Sequence, residues 1–219
     1  PSGFESAGFA RREMERLDAD FARGAVAVKI YKSVGMHIKS ASGNYLMPDD
    51  PALSPVLAFL AKRGKPLLAH LGEPRSSWMP LNPEDPHYGY YKQNPEWHMY
   101  RRPEAPSWEA IVAARDRMLA AHPDLKVIGA HLGSMEHDVD EIARRLDTAA
   151  RAPDLMRQPR EKVRRFLIRY QDRVLWGTDA MQLEWSSPPQ DIARWKAAYD
   201  HDWKFFATGE AFNQSGRIV

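Results

Sequence analysis

Leu67-Leu68-Ala69-His70-Leu71-Gly72 and Val127-Ile128-Gly129-Ala130-His131-Leu132-Gly133 are two short apolar runs that end on the same tetrapeptide, Ala-His-Leu-Gly. Each run follows a helical pattern. Before the first, Leu53, Val56, Leu57 and Leu60 recur at helical spacing, with Asp49 or Asp50 as the expected cap and Pro51 at the first helical position. Before the second, Ser107 caps a helix predicted to run to Ala121, and His122-Pro123-Asp124 breaks it. The unit occurs a third time: a helix over 161–170, Gln171-Asp172, then Arg173-Val174-Leu175-Trp176-Gly177-Thr178 ending on Asp179. Upstream, Phe9, Met14, Leu17 and Phe21 predict a helix over 5–23 closed by Gly24, and residues 25–31 predict a strand containing Lys29. Downstream, a helix is predicted from Ser187 with Pro188 just inside it and Ile192, Trp195 and Tyr199 facing inward. Helices alternating with near-continuous apolar strands imply a parallel sheet with helical crossovers, the α/β class. No G-x-G-x-x-G or G-x-x-x-x-G-K-[ST] follows a strand, so the nucleotide fingerprints of open doubly wound sheets are missing. Ionisable residues instead end successive strands, the arrangement of a (β/α)8 barrel, whose C-terminal face carries the chemistry.

Composition narrows the function classes. With 219 residues the chain can form one large domain or two small ones, and we expect a single α/β barrel domain over 1–219. A net charge of +2 gives no excess that asks for nucleic acid or a membrane surface. The absence of cysteine excludes disulfides, zinc–thiolate sites, iron–sulfur clusters and a thiol nucleophile, so any metal must be held by His and carboxylates. No apolar run approaches ~18 residues. No signal-peptide pattern opens the chain, which favours a cytoplasmic location as the expectation.

Parallel strands bring their C-terminal ends to one face, so His70, His131 and Asp179 are expected to point at one pocket. Two imidazoles and a carboxylate suit zinc, with manganese or iron also compatible. A bound ion would lower the pKa of its water to ~7 and polarise a carbonyl. Lys29 within an apolar strand is expected to pair with a carboxylate, orient substrate or carry a modified amine, or else to reach solvent from the strand end. Glu73 and Arg75 follow His70 directly; Glu73 is read as a supporting partner or proton carrier, Arg75 as a clamp for a substrate carboxylate. Residues 73–106 hold seven prolines and a dense set of aromatics without helical or strand periodicity, and are expected to form an active-site lid or substrate wall. Within it His98 is the best candidate to touch substrate. Glu184 and Trp185 are placed on the same rim. His37, His122, His137 and His201 are read as surface or structural residues.

Val28-Lys29-Ile30-Tyr31, Leu68-Ala69-His70-Leu71-Gly72-Glu73-Pro74, Ile128-Gly129-Ala130-His131-Leu132-Gly133-Ser134 and Leu175-Trp176-Gly177-Thr178-Asp179, in that order, resemble the amidohydrolase-related branch of the amidohydrolase superfamily. The resemblance runs from about Gly8 to Phe206 and implies a metal-dependent hydrolase or decarboxylase on a (β/α)8 barrel. It implies that His70 ends the fifth barrel strand as a metal ligand. It likewise makes His131, ending the sixth, a ligand or general acid/base, and Asp179, ending the eighth, a ligand that handles the proton of the water. Lys29 falls where some members carry a metal-bridging modified lysine. Two departures stand out. The first-strand His-x-His of the family has no counterpart, and no apolar run stands where the seventh strand belongs, around Asp147-Thr148-Ala149-Ala150-Arg151. The expectation is therefore an incomplete barrel, with strands four to six and eight identifiable. Three functions follow: hydrolysis of a small ester, lactone or amide by metal-activated water; metal-dependent decarboxylation of a small aromatic or unsaturated acid; or a truncated, non-catalytic family member. The expected partner is a small molecule, with a homo-oligomer as a further possibility.

Overall fold

The computed structural model describes residues 3–143, 148–150, 155–176 and 187–209. It divides into two compact units, Pro1–Ser134 and Met135–Val219.

In the first unit the leucine, valine and isoleucine runs form three parallel strands: β1 (Val28–Ile30), β2 (Leu67–Ala69) and β3 (Val127–Gly129). Their register is in step, with Val28, Leu67 and Val127 in one row and Ile30, Ala69 and Gly129 in another. Side chains alternate along a strand, so Leu67 and Ala69 face one side and Leu68 the other. The first side is the core. Helix α1 (Phe9–Ala22) contributes Phe9 and Leu17, and α3 (Ser54–Lys62) contributes Leu57 and Leu60, packed with Leu67, Ala69, Leu71 and Leu125. A one-turn element, α2 (Ser33–Met36), adds Val34. Lys29 lies on the opposite side and is exposed, the solvent-reaching alternative of the sequence reading.

Two boundaries differ from the sequence reading for local reasons. Helix α1 begins at Phe9, after Gly8 in a left-handed conformation, rather than at Glu5. Helix α3 begins at Ser54 because residues 50–53 form a turn: Asp50 Oδ1 accepts from Ala52 N at 2.9 Å, and Leu53 N donates to Asp50 O at 2.9 Å. Between β2 and β3 the chain passes through a single 3₁₀ turn at Arg75–Trp78, a short helix α4 (Tyr88–Gln93), 3₁₀ turns at Pro95–Trp97 and Met99–Arg101, and the long helix α5 (Trp108–Ala121). Ser107 caps α5 as expected, its Oγ accepting from Ala110 N at 3.1 Å. After β3 a tight turn, α6 (His131–Ser134), closes the unit.

The second unit holds α7 (Val139–Ala143), β4 (Thr148–Ala150), α8 (Arg160–Arg169), β5 (Val174–Trp176) and α9 (Pro188–Ala207). The β4 strand was not legible as one, since Thr-Ala-Ala is no apolar run. It pairs in parallel with β5, Thr148 opposite Val174, so pairing supplies what the side chains do not. Lys162 Nζ bridges Asp138 and Asp140 at 2.8 and 3.0 Å, and this hydrogen bond holds the Asp138 carboxyl below its usual range. On α9 the expected inward face is wrong for two of its three residues: Ile192 and Tyr199 are exposed, while Asp191 and Asp202 are buried. Arg194 pairs with Asp191 at 2.7 Å.

The parallel β/α order is borne out, whereas a closed barrel is not completed by the described residues. No helix among them is long and apolar enough to cross a membrane.

Candidate active site

The register of β1–β2–β3 builds the site. One step beyond the row Ile30–Ala69–Gly129, His70 N donates to Ile30 O at 3.1 Å and Ala130 N to Ala69 O at 2.9 Å. This continues the ladder and sets Tyr31, His70 and Ala130 side by side at the C-terminal strand ends. Tyr31 meets the His70 ring edge-on, centroids 5.5 Å apart. The next residue of the third strand end, His131, brings its ring to 4.4 Å from His70 at an interplanar angle of 73°. Both imidazoles are buried, 6% and 9% exposed. The two histidines of the repeated tetrapeptide are thus brought together as the sequence predicts.

His131 stands on unusual backbone. His131, Leu132 and Ser134 have φ of 52°, 52° and 60°, and Gly133 lies at 65°. A left-handed L-residue costs roughly 1–2 kcal/mol, so a run of three non-glycine residues persists only where its surroundings hold it. They do. Trp108 Nε1 donates to Ser134 O at 3.1 Å, and the buried Arg115 guanidinium donates to Gly133 O. Ser134 Oγ reaches the carbonyls of Gly72 and Leu71 at 2.9 and 3.2 Å, which ties this turn to the loop after His70.

Glu73 is buried, and its partner is Lys32, a residue the sequence reading passed over. Lys32 is buried too, forms an ion pair with Glu73 and donates to Tyr90 Oη at 2.7 Å. Its ammonium lies over the rings of Trp97, Tyr90 and Tyr31, at 4.1, 4.9 and 5.7 Å. The pair therefore joins the ends of β1 and β2 and pins residues 90–97 beside them. Trp97 also meets Tyr31 at 5.8 Å and His37 at 4.3 Å. Arg102 holds His37 from the other side, Nη1 donating to Nδ1 at 3.1 Å. Burial first, then the Arg102 charge, pushes the His37 imidazole below its usual range.

The other predicted residues fall elsewhere. His98 is buried inside the 73–106 segment, its Nε2 2.9 Å from Met79 O and its ring stacked on Tyr91. Arg75 forms an exposed pair with Glu109 at 3.3 Å above the Trp108 ring. Lys29 extends toward Tyr31, Nζ 5.8 Å from the ring. Asp179, Glu184 and Trp185 lie outside the described residues.

A family model described as Amidohydrolase matches residues 4–208. The chain belongs to the amidohydrolase family. No curated protein matches this amidohydrolase. Among solved structures it is similar to 2,6-dihydroxybenzoate decarboxylase complexed with 2,6-dihydroxybenzoate, with 15% identity and a TM-score of 0.47, covering 89% of this chain and 68% of that one. Two neighbouring imidazoles are donors of the kind a divalent ion takes. The two buried rings lie 4.4 Å apart, centroid to centroid. Among the described residues no third His or carboxylate completes a metal-binding group with them. What sequence reasoning missed in this amidohydrolase is the support: Lys32, Trp108, Arg115 and Ser134 meet their partners across the fold, where no spacing rule reaches.

Proposed function

We propose that the chain is a metal-dependent hydrolase acting on the carbonyl of a small ester, lactone or amide, on a (β/α)8-type scaffold. The observation that carries this reading is the pair His70–His131, two buried imidazoles delivered by neighbouring parallel strand ends. The parallel β/α order supports the scaffold, because such folds place their chemistry at those ends. His70, His131 and Asp179 are the proposed ligands, Asp179 on the strength of the family resemblance, and zinc is the first choice, with manganese or iron also accepted by these donors. When bound, the ion supplies Lewis acidity and makes a water acidic near neutral pH. Asp179 would accept the water's proton and pass it to the leaving group, and His131 would either hold the ion or, uncoordinated beside it, donate to the developing oxyanion. Tyr31, edge-on to both His70 and Trp97, stands beside the site and helps to orient the substrate. Glu73, held by Lys32, supports the loop after His70 rather than touching substrate.

The test is metal analysis together with turnover on a panel of small esters, lactones and amides. About one divalent ion per chain, and loss of hydrolysis in Asp179→Asn, are expected; a metal-free chain with full activity in that variant would overturn the proposal. The aromatic residues of the 73–106 segment, with Tyr90 and Trp97 packed around Lys32 beside the strand ends, also favour a second reading, decarboxylation of a flat aromatic acid. Release of CO2 without net consumption of water would select it.

A further inference from the structure

We propose that Trp108 and Arg115 of α5 are positioning residues for His131, holding its turn in the left-handed form that sets the imidazole against His70. The proposal rests on the metal-site reading above and deepens it. Helix α5 turns one stripe into the core: Trp108, Ile111, Val112, Ala114, Arg115 and Met118 are buried. An arginine in such a stripe is costly unless its donors are used. Arg115 spends them on Gly133 O and on Asp116 Oδ1, the latter at 3.0 Å. Trp108 lies seven residues earlier, two turns along the same helix face, and its indole takes the next carbonyl, Ser134 O. Two donors on one face of one helix therefore grip two consecutive carbonyls of the left-handed run. Both bonds end on the turn that carries His131. Without them the run relaxes toward ordinary φ values and the His131 ring leaves His70. The same relaxation pulls Ser134 Oγ from Gly72 O, so the loop after His70 loosens with it.

The experiment uses the full chain labelled on histidine, with Trp108→Phe, Arg115→Lys and Arg115→Met. Two readings are taken on each folded variant. One is the nuclear Overhauser contact between the His70 and His131 rings in zinc-free protein; the other is Zn2+ affinity by calorimetry. The unfolding midpoint serves as control. Arg115→Met should lose the ring contact and bind Zn2+ about tenfold more weakly or worse, in the range of support-residue losses at metal sites. Arg115→Lys keeps one donor and should fall between Met and the parent, and Trp108→Phe should show a smaller loss of the same kind. A purely structural role would lower the midpoint and leave the affinity of the folded protein unchanged. Folded Arg115→Met and Trp108→Phe with parental ring contact and parental affinity overturn the proposal. If the parent chain binds no Zn2+, the metal reading fails, while the ring contact in zinc-free protein still decides the positioning role.

Discussion

At the scale of single residues, two glycines near the site separate strain from space. Gly72 has φ 84°, and a Cβ there would meet Ile111 and Ser134 at ordinary contact distances. Gly35 has φ 86°, and its Cβ would stand 3.2 Å from Ile111 Cγ1. Alanine at 72 should cost the conformational penalty alone, roughly 1–2 kcal/mol, whereas at 35 overpacking adds about 1–3 kcal/mol more. Urea midpoints rank the two, and equal losses would show that Ile111 yields freely. His37 supplies a pH dependence. Its pKa is lowered from the ordinary 6.5 by burial and Arg102, against a weaker opposite pull from Glu96 and with a small like-signed push from Lys32. A depressed histidine binds fewer protons folded than unfolded, so its contribution is present above pH 6.5 and is lost as the pH falls through the folded value. Stability should therefore decline on acidification below about pH 6.5, and His37→Gln should flatten that part of the profile. The Ala-His-Leu-Gly repeat made His70 and His131 legible because both sit at equivalent strand ends. Lys32 was not legible: its carboxylate lies 41 residues away, and a lysine after Tyr31 has no pattern to distinguish it. Lys29 drew the eye instead, although strand alternation turns it to the exposed side.

Between elements, the Lys32–Glu73 pair fastens β1 to β2 and the aromatic segment to both. Removing one partner leaves a buried charge uncompensated, which typically costs 3–5 kcal/mol, about the upper range for single substitutions. Lys32→Met and Glu73→Leu should each be strongly destabilising, and the double variant should lose far less than their sum. A denaturation cycle over the four proteins measures that coupling, and additive losses would mean the pair does not act as a unit. Much of the element order was legible, because α5 announces itself by its cap and the three strands of the first unit by their apolar runs. Two elements misled for opposite reasons. β4 has no strand-like composition and is defined by its neighbour. α9 has helical apolar spacing, yet Ile192 and Tyr199 are exposed and the buried positions are aspartates; periodicity identifies a stripe but not whether anything packs on it.

For the molecule as a whole, metal binding and stability should be linked. A ligand held only by the folded state stabilises by about 2.7 kcal/mol at a hundredfold excess over its Kd. Zn2+ at that excess should raise the thermal midpoint of the parent chain, and His70→Ala should abolish the rise while melting cooperatively on its own. An equal shift in both proteins would place the ion elsewhere. The Ser134 hydroxyl carries one more consequence. Because it ties the turn of His131 to the carbonyls after His70, neither loop can open alone without breaking that bond. Amide protons of residues 71–73 and 131–134 should then exchange with solvent as one correlated population, seen by mass spectrometry as a single paired step. In Ser134→Ala the two loops should become kinetically independent, each with its own exchange rate.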